Sequence, residues 1–91
     1  MTTLHMDVSS VRDVKRKIIR IRSQIEENLL PLRHNVRNLQ PQWKSDSADQ
    51  FYEQFGEVEG SILEIMDLLN DMASDLDEEI VKWEKLDDKL G

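Results

Sequence analysis

Apolar side chains recur every three or four residues along most of this chain. Val11, Val14, Ile18, Ile21, Ile25, Leu29, Leu32, Val36 and Leu39 step by 3, 4, 3, 4, 4, 3, 4 and 3. That spacing holds one stripe on one side of an α-helix and does not fit the two-residue alternation of a half-buried strand. Phe51, Phe55, Val58, Ile62, Ile65, Leu69, Met72 and Leu76 then alternate steps of 4 and 3 without a break, and Ile80, Trp83 and Leu90 continue the stripe more loosely. This second series is a coiled-coil-like packing face. The pattern predicts two long helices, at about 9–40 and about 47–89, joined by a turn at about 41–46 in a single hairpin domain spanning 1–91.

The turn is marked by the stretch Pro41-Gln-Trp-Lys-Ser-Asp-Ser. Pro41 offers no N–H and disfavours helical backbone at Gln40, so the first helix should stop there. Ser45, Asp46 and Ser47 supply N-cap candidates for the second helix, and Asp46 and Asp49 suit the positive end of its dipole. Ser9 and Ser10 are the corresponding candidates for the first helix after a loose start. Trp43, caught inside the connection, is expected to fold back between the helices and bury its rings. Pro31 falls within the first helix, where it removes one backbone bond at a cost of about 3 kcal/mol or a kink. The stripe continues in phase across it, which favours one kinked helix over two. Gly56 and Gly60 each cost about 1 kcal/mol relative to alanine and suggest close approach by another helix.

Charge adds a second layer. Residues 1–48 hold nine Lys and Arg against five Asp and Glu, whereas residues 49–91 hold three against fourteen. The halves are electrostatic complements, so folding one on the other, or on a second copy, places opposite charges along the seam edges. The basic cluster Lys15, Arg16, Lys17, Arg20 and Arg22 has no aromatic residue within it, and the acidic half repels phosphate. A nucleic-acid partner is therefore not expected.

Ninety-one residues with 38% hydrophobic content form a lean core for a chain folding alone. Leu63, Met66 and Leu68 widen the second stripe beyond a two-helix seam, as expected when a helix touches more than one neighbour. The second helix, at about 64 Å, would also outrun the first, at about 48 Å, leaving Ile80, Trp83, Leu86 and Leu90 projecting past it. The expected architecture is all-α: a helix–turn–helix hairpin that dimerises into an antiparallel four-helix bundle. Its dimer and core stripe comprises Ile18, Ile21, Ile25, Leu32, Phe55, Ile62, Ile65, Leu69 and Met72.

Catalytic chemistry finds no foothold in these residues. The chain has no cysteine and two histidines. His5 lies in the loose start, and His34, near Arg33 and Arg37, reads as a surface side chain. Neither has a glutamate three residues before it, as a di-iron helical bundle would need. The carboxylates Asp75, Asp77, Glu78 and Glu79 lack the glycine-turned loop of a calcium site. Neither an enzyme nor a cofactor is expected. The first twenty residues lack the basic start and apolar core of a classical signal peptide, and no apolar run is long enough to span a membrane.

Trp43-Lys44-Ser45, set between two heptad segments in a chain of this length and followed by Ala48 and Phe51, resembles the Trp-X-Gly turn of the WXG family, the early-secreted-antigen type of small protein. The likeness covers the whole chain. On it, Trp43 takes the family's tryptophan position and Ser45 its glycine position, a departure that keeps the residue small but disfavours left-handed backbone. The resemblance implies a helical hairpin that pairs as a homodimer, or as a heterodimer with a similar hairpin or a larger toxin. It further implies a bacterial protein that leaves the cytoplasm through type VII secretion without a classical signal peptide. The family's Tyr-X-X-X-Asp/Glu export element has a near match in Trp83-Glu84-Lys85-Leu86-Asp87. The likeness makes Trp83 and Asp87, with Trp43 of a paired subunit, candidates for recognition by the secretion ATPase. The same helical pairing would also serve a cytosolic scaffold or adaptor, with Trp43 only a turn residue.

Overall fold

A computed structural model describes residues 4–90, with side chains to residue 86. Two helices, α1 (Val8–Leu39) and α2 (Asp46–Leu90), form an antiparallel hairpin. The described chain is a flattened rod of 68 × 26 × 14 Å. The packed seam is thin. Its buried apolar residues are Ile18, Leu29 and Val36 on α1 and Met66, Ala73 and Ile80 on α2; Ala48, in the first turn of α2, is also fully buried.

Local chemistry sets the helix ends. Asp7, not Ser9 or Ser10, caps α1: its extended backbone lets the carboxylate accept from the Ser10 N–H at 3.1 Å, satisfying one donor of the first turn. Helix α1 then runs through Pro31 as one element. Pro31 is exposed, so the carbonyl it deprives of a partner, at Glu27, belongs to a solvent-facing turn. At the other end Gln40 remains right-handed helical (φ −53°, ψ −45°) despite the proline after it. The expectation that Pro41 forces it out of helical backbone is corrected here. Leu39 O accepts from both Gln42 N at 2.9 Å and Trp43 N at 3.0 Å, so the turn closes on a carbonyl whose donors lie beyond Pro41.

Ser45 caps α2, its Oγ accepting from the Ala48 N–H at 3.1 Å. Every non-glycine residue described has negative φ. The turn therefore uses Ser45 as a cap and makes no demand for the left-handed backbone that glycine would permit.

Cross-helix ion pairs give the register. Arg33 Nε meets Glu59 Oε2 at 2.7 Å, Lys15 Nζ meets Asp77 Oδ1 at 2.9 Å, and Arg12 pairs with Glu84. This overturns the expected overhang. Because Arg12 reaches Glu84, α1 covers α2 well past Ile80, which is only 3% exposed. The extra length of α2 lies instead at the turn end, where the connection from Gln40 to Ser45 climbs beside its first turns.

Candidate functional site

The charged and apolar positions divide the hairpin into two unlike edges. On α1, Arg12, Lys15, Arg22 and Arg33 are separated by 3, 7 and 11 residues and share one edge of the seam. Arg12, Lys15 and Arg33 bridge to α2. Arg22 pairs with its own helix, at Glu26 Oε2 (2.8 Å), and its buried Nε finds no acceptor among the described residues. The expected charge complementarity is thus realised within one chain and along one edge.

The opposite edge is open and apolar. A groove of about 370 Å³ is lined by Ile21, Gln24, Ile25, Asn28, Leu29 and Leu32 of α1 and by Ile62 and Ile65 of α2. Heptad steps extend it in both directions. Val14 lies seven residues before Ile21, and Phe51, Val58, Ile65 and Met72 succeed one another at sevens; all are exposed. Val58 and Ile65 keep 54% and 49% of their surface in solvent. These exposed positions follow one another along one side of the hairpin and form a continuous apolar face.

The expected stripe is therefore two surfaces. Of its members, Ile18 is buried within the hairpin; Ile25, Phe55, Ile62 and Leu69 are half-buried at the boundary; Ile21, Leu32, Ile65 and Met72 are exposed. Leu29, Val36, Met66, Ala73 and Ile80 complete the internal core.

At the turn, Trp43 is not buried between the helices. It is 38% exposed. Its ring packs at 5.8 Å from Phe51 and 6.0 Å from Tyr52, which itself meets Phe51 edge-on at 5.7 Å. The indole lies against the first turns of α2 rather than in the seam between the helices. Tyr52 also donates its hydroxyl to Trp43 O at 2.8 Å. Tyr52 is not among the residues that periodicity singles out; its signal in the sequence is an aromatic beside Phe51 in the first turns of α2. Phe51 belongs both to this cluster and to the heptad series, so the indole stands at one end of the open face.

Trp83 lies near the other end of the rod, half-buried on α2, beside Glu84 with its partner Arg12. The side chain of Asp87 falls outside the described residues. A single hairpin therefore does not bring Trp43 and Trp83 together; from the Phe51 and Tyr52 rings that hold Trp43, Trp83 is about 47 Å further along α2.

Other chemistry is sparse. His34 is exposed and sits 3.1 Å from the Asn38 amide. Among the described residues no group of His, Asp and Glu could hold a metal ion, and no helix is long and apolar enough to cross a membrane. The hydrogen bond from the Ser10 backbone N–H holds the Asp7 carboxyl below its ordinary pKa.

No curated protein and no solved structure matches the chain significantly. A family model does, the one described as proteins of 100 residues with WXG, and it aligns over residues 3–88. The match spans both helices and the Trp43 turn: the chain belongs to the WXG100 family of small helical proteins related to type VII secretion.

Proposed function

We propose that this protein is a non-enzymatic substrate or escort of a bacterial type VII secretion system, exported as a folded pair of hairpins. The observation that carries the reading is the open apolar face. A rod with so thin a seam and a full-length uncovered stripe of Val, Ile, Leu and Met gains most by laying that stripe on another hairpin, completing a four-helix bundle. Pairing also gives the two tryptophans a common function. In an antiparallel pair the turn of one subunit lies beside the α2 end of the other. Trp43, already exposed on its aromatic cluster, would then share an end with Trp83 and Asp87 of the second subunit, forming a composite signal for the secretion ATPase.

The test is export from a bacterium with an active type VII system, measured for the natural chain and for Trp43→Ala, Trp83→Ala and Asp87→Ala. The expected result is loss of the protein from the culture medium, with its cytoplasmic level and solution mass unchanged. Normal export of all three variants would refute the composite signal. A chain that never leaves the cell, with pairing intact, would favour a cytosolic scaffold or adaptor.

A further inference from the structure

The apolar groove contains two amides, Gln24 and Asn28, one turn apart on α1. Asn28 continues the heptad series Val14, Ile21, Asn28, at a position where an apolar residue would bury more surface. Its Nδ2 donates to the Gln24 backbone carbonyl at 2.8 Å, which leaves its Oδ1 and second N–H free, along with the whole Gln24 amide. Covering this groove with a purely apolar partner would strand those groups without hydrogen bonds. The covering surface must present donors and acceptors at this level.

We infer that the partner is a second copy of this chain, and that Gln24 and Asn28 of one copy pair with Asn28 and Gln24 of the other across a two-fold axis. The inference rests on the paired-hairpin reading above and specifies how the pair is built. A primary amide is self-complementary, offering one carbonyl and two N–H donors, so two amides one turn apart satisfy an identical set running antiparallel. Position agrees with this chemistry. By the register of the Arg33–Glu59 and Lys15–Asp77 pairs, the turn between Gln24 and Asn28 is level with Met66, about 3 Å from the midpoint of α2. A two-fold axis there overlaps the two rods along nearly their whole length. It also sets Lys17 opposite Asn35, so no like charges meet on the α1 seam. A parallel pair would instead lay α1 on α2 of the other copy and press both amides against the level of the exposed Ile65 and Leu68. The amide pair thus selects orientation and register, as a single polar residue does in a coiled-coil seam.

The test uses charge exchange in the full chain. One variant carries Gln24→Lys and Asn28→Lys, a second Gln24→Glu and Asn28→Glu, and a third Gln24→Glu with Asn28→Lys. Circular dichroism confirms helix content, and sedimentation equilibrium gives self-association. The double-lysine and double-glutamate chains should self-associate at least tenfold more weakly than the natural chain, and their equimolar mixture should recover a one-to-one dimer. The third variant, whose opposite charges meet across the same axis, should pair about as well as the natural chain. Double-lysine and double-glutamate chains that each dimerise within about threefold of the natural chain would overturn the amide pairing while leaving hairpin pairing intact. A helical but monomeric third variant would overturn the two-fold arrangement. A natural chain that binds only a different hairpin would remove the second copy itself.

Discussion

The Tyr52 hydroxyl donates to the backbone carbonyl of Trp43 at 2.8 Å while its ring meets the indole edge at 6.0 Å. Tyr52 thereby ties the connection to α2 and holds the indole outward. Removing the hydroxyl alone, with Tyr52→Phe, should cost about 1 kcal/mol of stability. In a Trp83→Phe background it should also change Trp43 fluorescence. Unaltered emission and an unaltered melting temperature would mean that the hydrogen bond does not hold the turn.

The closed edge of the hairpin is equally open to test. Arg33 and Glu59 are about one-quarter exposed, so their pair is screened less than a surface ion pair. Arg33→Ala should destabilise by about 1 kcal/mol, less at high salt. Arg33→Glu should cost more and be partly rescued by Glu59→Arg. Equal stability of the single and double reversals in urea unfolding would show that the pair is not coupled.

Gly56 and Gly60 were expected to admit a neighbouring helix, yet nothing lies within 4 Å of a Cβ built at either. Helix α1 does not approach them. Alanine at each should therefore raise stability by about 1 kcal/mol through helix propensity alone. A drop in melting temperature, or loss of pairing, would place a second subunit's backbone at these glycines.

Much of this arrangement was legible in the sequence, because helix, turn and hairpin follow from local steps of 3 and 4 and from Pro41 with Ser45. What periodicity could not separate was inside from outside. Ile18 and Ile21 belong to one stripe, yet Ile18 is buried in the hairpin and Ile21 stays half in solvent; a stripe wide enough for two neighbours does not say which residue serves which. The place of Trp43 was illegible for a related reason, since it depends on how far the connection climbs along α2. The contacts that hold it there, the Phe51 and Tyr52 rings and the Tyr52 hydroxyl bonded to Trp43 O, come from residues eight and nine positions further along the chain.

Asp7 gives a pH signature. Its carboxyl is held below its ordinary pKa chiefly by the Ser10 backbone N–H. A lowered folded pKa means that the cap stabilises α1 above the unfolded carboxyl's pKa and is lost as pH falls through the folded value. The protection of the Ser10 amide, relative to its intrinsic exchange rate, should fall across that acidic window, and Asp7→Asn should flatten this dependence. The same acid response in Asp7→Asn would assign the effect to other carboxylates.

The central claim is that the open face of the hairpin is an interface, and solution mass tests it most directly. Light scattering over a concentration series, with circular dichroism on the same samples, should give a helical species of twice 10.7 kDa. Ile65→Lys, in the middle of the exposed heptad series, should convert it to a helical monomer. A natural chain that remains a stable helical monomer at high micromolar concentration would contradict the account.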